Sequence, residues 1–164
     1  MVERFVPETF VVPTSFVGDG FRLEPLGPRH NERDHEAWMS SIEHIQATPG
    51  FEDSDWPTPM SLERNLQDLQ GHARDFRERT GFTYSILDGD EVIGCVYLYP
   101  PRGGDFDVSV RSWVRASRAE MDEPVWRSLS AWLTTAWPWE RLDYAPRTSP
   151  APAPAVRRAR RRML

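Results

Sequence analysis

Phe82-Thr83-Tyr84-Ser85-Ile86-Leu87, Asp88-Gly89-Asp90, Val92-Ile93-Gly94-Cys95-Val96-Tyr97-Leu98-Tyr99: two runs of β-branched and aromatic residues flank a short polar segment centred on glycine. Such runs favour extended backbone, and an Asp-Gly step supplies the positive φ of a tight hairpin turn. The stretch therefore predicts an antiparallel hairpin, and the rest of the chain can be ordered around it.

Upstream, Ser61 is placed to cap a long helix in which Leu62, Leu66, Leu69, Ala73 and Phe76 recur at helical spacing. A loop rich in Pro, Gly and Asp, Thr48 to Pro59, separates it from a first helix over about Asn31 to Ile45. There Asp34, Trp38, Ser41 and Ile45 stack on one side. Before that, Phe21 to Leu26 alternates as a strand ended by Pro25. Downstream, Phe106 to Val114 reads as a strand. Pro124 to Trp137 reads as a helix burying Val125, Leu129, Trp132, Leu133 and Ala136, stopped by Pro138. Leu142 to Tyr144 makes a short last strand.

A length of 164 residues allows one core, and 39% hydrophobic residues suffice to build it. The expected organisation is one domain over 1–147 and a disordered Pro/Ala/Arg-rich tail over 148–164. No apolar run reaches the roughly 18 residues of a membrane span, and the N-terminus lacks the order of a signal peptide. The lone Cys95 excludes an intrachain disulfide, so a cytoplasmic protein is expected. There is no lysine, which removes Schiff-base chemistry. Net charge is −5, although five arginines cluster at 157–162, so the body is more acidic than the whole. Nucleic-acid binding by the domain is not expected.

The order strand, helix, helix, hairpin, strand, helix, strand resembles that of the GNAT N-acetyltransferase superfamily. Phe21-Arg22-Leu23-Glu24-Pro25-Leu26 is similar to the family's opening strand, Phe82 to Tyr99 to its central hairpin, and Ser112-Trp113-Val114 to the end of its fourth strand. The resemblance implies an α/β fold with a mixed, mostly antiparallel sheet flanked by helices. It implies acetyl-CoA in an opening between the fourth and fifth strands, and direct transfer of an acetyl group to a small-molecule or protein amine. The cofactor-binding positions it implies are Trp113 and Val114, through their backbone, with Arg115 and Arg118 as the nearby cations. On the polar face of the fourth strand Asp107 is the best carboxylate for a base, and Tyr97 and Tyr99 on the neighbouring strand are possible acids.

Two departures qualify the resemblance. Where the family has a glycine-rich turn for the pyrophosphate, this chain has Ala119, Glu120, Asp122, Glu123 and Pro124. Acidic side chains repel phosphate, and proline offers no N–H, so the usual pyrophosphate site is expected to be absent. The chain is also expected to be truncated after the fifth strand, lacking the family's final wall of the cleft. Trp126, Trp137 and Trp139 do not all fit the buried stripe of the last helix, so a homodimer interface is expected to supply that wall.

Other signals are bland. Cys95 reads as a buried structural thiol, and His30, His35, His44 and His72 lack metal-ligand spacing, so no metal is expected. Asp53-Ser54-Asp55 fails as a calcium loop at Pro57. Three functional readings follow: an acetyl-CoA-dependent N-acyltransferase with a degenerate cofactor loop, a non-catalytic binding module on the same fold, or a nucleic-acid-associated protein acting through its arginine-rich tail.

Overall fold

The computed structural model describes residues 4–147; the expected tail at 148–164 lies outside the described residues. The hairpin forms as its sequence predicts. Strand β3 (Phe82–Asp88) pairs with β4 (Glu91–Tyr99) in antiparallel register, Tyr84 opposite Val96, and Gly89 turns the chain at φ +60°. A bulge near Ile86/Leu87 leaves Ile93 as an extra residue of β4. As a result, Val96 and Ile93 share one side of the sheet and Cys95 and Val92 the other, although each pair is three residues apart.

Around this hairpin the sheet runs in sequence order. β1 (Phe16–Val17) and β2 (Arg22–Pro25) lie outside β3, with β5 (Val108–Val114) and β6 (Leu142–Tyr144) beyond β4. All pairings are antiparallel except β5–β6, which is parallel and spans only Val108–Val110 against Leu142–Tyr144. Between β2 and β3 come α1 (Asn31–Met39), α2 (Ile42–Gln46) and α3 (Leu62–Glu78), and α4 (Asp122–Thr135) bridges β5 and β6. Ser61 caps α3 as expected, its Oγ accepting from Arg64 N at 3.0 Å. No helix of the described residues is long and apolar enough to cross a membrane.

Each face of the sheet has its own core. Phe82, Tyr84, Val96, Leu98 and Val110 pack under Val125, Leu129 and Leu133 of α4. Leu87, Cys95 and Trp113 on the other face pack under Ala37, Trp38 and Leu69 of α1 and α3. The first expected helix breaks into two at Ser40 and Ser41, where Ser40 Oγ donates to the Ala37 carbonyl and diverts the chain. Asp34, Trp38, Ser41 and Ile45 nevertheless all face inward, as their spacing predicts.

Several expectations are corrected. Strand β5 starts at Val108, because the Asp107 carboxylate instead accepts from the N–H groups of Glu140 and Arg141 at 2.8 and 2.9 Å. Helix α4 starts at Asp122, with Pro124 inside its first turn, where its missing N–H costs nothing. Trp137 and Trp139 are buried. They stack on each other at 4.7 Å, and the N-terminal segment covers them through Phe10 and Phe5. The apolar surface that motivated a dimer is thus largely an internal core.

At Gly94 the backbone of β5 leaves no room for a side chain. A Cβ there would stand 2.1 Å from the Trp113 carbonyl oxygen, a backbone atom that cannot step aside. Gly94→Ala is expected to destabilise the fold by about 2–3 kcal/mol. Gly103→Ala, with nothing within 4 Å of its added methyl, should leave the denaturation midpoint unchanged.

Candidate functional site

A cavity of about 320 Å³ opens on the sheet face beneath α1 and α3. That volume falls in the range of small-molecule sites. Trp38 comes from α1, Phe51 and Trp56 from the loop between α2 and α3, and Tyr97 from β4. Their rings form one continuous cluster: Trp38–Trp56 5.5 Å, Phe51–Trp56 5.9 Å, Trp56–Tyr97 6.4 Å between centroids. Trp56 reaches it from a loop through a cis peptide bond to Pro57.

Polar groups enter between the rings. Asp34, buried on α1, accepts from Asn65 Nδ2 at 3.1 Å, and Asn65 Oδ1 accepts from the Trp38 indole at 3.1 Å. Burial raises the Asp34 carboxyl from the ordinary carboxylate range to about 6. His72 of α3 also lines the cavity, and desolvation lowers its pKa. Its Nδ1 lies 3.0 Å from Tyr99 Oη and 3.1 Å from Thr83 Oγ1, while Tyr99 donates its own proton to Asp75 at 2.8 Å. Having given that proton to Asp75, Tyr99 faces Nδ1 as an acceptor, while the Thr83 hydroxyl faces the same nitrogen as donor or acceptor.

A second cavity, of about 280 Å³, lies beside the short β5–β6 pairing and is lined by Ser109, Val110, Arg111, Asp143 and Ala145. Ser54 and Arg111 line both cavities. Beyond Val110–Tyr144 the two strands part, and an arginine fills the gap. Arg147, almost wholly buried, donates to the Ser112 carbonyl at 2.5 Å, to the Ala145 carbonyl at 2.8 Å, and to Asp122 at the start of α4 at 2.9 Å.

In the turn into α4 the charged side chains are paired within the protein. Arg115 is bound to Glu36 at 2.6 Å, and Arg118 to Asp88 at 2.7 Å and Glu91 at 3.0 Å. The three acids of the loop are also internally paired: Glu120 with Arg118, Asp122 with Arg147, Glu123 with Arg127. Asp122 Oδ1 is buried with no hydrogen-bond partner among the described residues, which adds to the cost of an anion there.

The residues singled out from sequence are therefore scattered. Tyr97 and Tyr99 line the aromatic cavity, both with phenols raised by desolvation. Trp113 is buried in the core beside it and donates to Tyr97 Oη at 2.9 Å, while Val114 belongs to the core on the opposite face. Asp107 lies outside the lining of both cavities, its pKa lowered by the Arg141 and Glu140 N–H groups. Arg115 and Arg118 are engaged as described. Sequence reading missed Asp34, Trp56, Asn65 and His72 as parts of one site. The available signal was helical: Asn65, Asp68, Leu69 and His72 share a face of α3. No group of His, Cys, Asp or Glu suited to a metal occurs among the described residues.

A sheet that is antiparallel up to a parallel final pair, with helices α1, α2 and α3 before the hairpin and α4 at the fork, has the fold of the GNAT N-acetyltransferases. Solved structures of that class superpose on it. Mycobacterium smegmatis RimJ in complex with CoA-disulfide matches with TM-score 0.61 at 16% identity, over 83% of this chain and 66% of its own. Ribosomal-protein-S5-alanine acetyltransferase from Vibrio fischeri matches with TM-score 0.55 at 16% identity, over 76% and 69%. RimL, a ribosomal L7/L12 α-N-protein acetyltransferase in complex with coenzyme A, matches with TM-score 0.56 at 15% identity, over 73% and 64%. This chain spans about two thirds of the length of these neighbours. No family model and no curated protein matches the sequence.

Asp34 should make stability depend on pH. Because the folded state raises its pKa, its favourable contribution is complete below the unfolded value near 4 and is lost as pH rises to about 6. Asp34→Asn is expected to stabilise the protein by up to about 3 kcal/mol above that window, and not below it. Melting temperatures of both proteins across that pH range would check this.

Proposed function

We propose that this chain is a GNAT-type N-acyltransferase that holds an amine acceptor in the aromatic cavity. The acyl donor, an acetyl thioester such as acetyl-CoA, would enter the neighbouring cavity at the β5–β6 fork without the fold's usual grip on a pyrophosphate. The observation that carries the proposal is that the two cavities share Arg111 and Ser54, so ligands in each would meet there. The acceptor can be a small amine or an exposed protein amine; similarity to ribosomal-protein acetyltransferases speaks for the second and the aromatic cavity for the first. His72 is the proposed base, since it lines the cavity and desolvation lowers its pKa, which keeps the ring neutral with a lone pair free on one nitrogen.

Thiol release from acetyl-CoA in the presence of an amine panel tests this reading. His72→Gln is expected to lower kcat by roughly 100-fold or more and to remove the acidic limb of the pH–rate profile. Absence of acetyl-CoA binding by calorimetry at millimolar ligand would sink the enzyme reading.

The buried Arg147 favours a second reading, a non-catalytic binding module whose fork is closed by its own arginine. Under it, acetyl-CoA leaves the melting temperature unchanged. In either case Arg147→Ala should cost about 2–4 kcal/mol, because Asp122 is left half-buried without its partner. Gain of acetyl-CoA binding by that variant alone would identify Arg147 as the plug.

A further inference from the structure

We infer that the aromatic cavity takes its ligand as a cation, with a compact organic ammonium seated against Asp34. The inference rests on reading this cavity as the acceptor site and names the chemical class that the site selects. Asp34 is nearly fully buried and its carboxylate is held by one neutral donor, Asn65 Nδ2. Among the described residues no arginine or histidine forms an ion pair with it. A buried carboxylate without a cation is costly, and a ligand that supplies the charge recovers that cost.

The walls suit the same charge. Trp38, Trp56 and Tyr97 line one space, and aromatic rings attract ammonium groups electrostatically. Asp68, a second carboxylate, lines the cavity too. The cavity's own cation is turned away from this role: the Arg111 guanidinium lies over the Phe51 ring, 5.3 Å from its centroid. His35, next to Asp34 in sequence, donates Nε2–H to the Met60 carbonyl at 2.8 Å. A space of about 320 Å³ admits an arylalkylamine. The ligand class is therefore a small primary ammonium on a flat apolar body.

Calorimetric titration of the full chain with phenethylamine and with 2-phenylethanol, its neutral counterpart, tests this near neutral pH. No acyl donor is present, so failure here is separable from failure of acyl transfer. The amine should bind at least roughly tenfold more tightly than the alcohol. Asp34→Asn should abolish that preference while leaving the weak alcohol binding unchanged, and its raised melting temperature shows that the loss is not unfolding. Trp56→Ala should weaken both ligands. Equal binding of amine and alcohol by the wild type, a preference that survives Asp34→Asn, or no amine binding at tens of millimolar would each overturn the inference.

Discussion

The ladder β3–β4–β5 is covered on both faces, and that double burial governs the rest of the molecule. Every second residue of each central strand must find a partner in a different layer. On one face the partners are apolar, supplied by α4 and the N-terminal segment, with Trp137 and Trp139 stacked among them. On the other face the strands present Thr83, Ser85, Tyr97, Tyr99 and Arg111 among apolar residues. Such groups need hydrogen bonds when buried. Most receive them from the helices above, through His72 and Asp75, or from Trp113 beside them.

That second face cannot be packed as an oil-like layer, and the cavity is the result. Its polar lining is held rigidly: Trp38, Asn65 and Asp34 form one chain, His72, Tyr99 and Asp75 another. Asp34 works against stability where it stands, since burial disfavours its charged form. Sites that keep such a group are commonly functional, because strain of this kind has no packing benefit to retain it.

At the fork the same economy of burial leads elsewhere. Parallel pairing of β5 with β6 lasts three residues, leaving the Ser112 carbonyl without a strand partner. Arg147 satisfies that carbonyl and neutralises Asp122 with the same guanidinium. Nearby, Arg115 and Arg118 tie the loop to α1 and to the hairpin turn. The charges of this loop are thus engaged in ties within the protein.

Local sequence determined the elements that depend on neighbouring residues. The hairpin followed from Asp88-Gly89 between alternating runs, the α3 start from Ser61, and the inward face of α1 and α2 from Asp34, Trp38, Ser41 and Ile45. The acidic turn before α4 was equally legible, because its chemistry lies within a few consecutive residues. Only tertiary structure decided the site. Asp34, Trp56, His72 and Arg111 are far apart in sequence, and each has an ordinary local context; their roles arise from shared burial. The same holds for Trp137 and Trp139, whose burial depends on Phe5 and Phe10 from the other end of the chain. Periodicity reports which face of an element turns inward, whereas desolvation and charge pairing depend on what lies opposite, and that is set only when the layers meet.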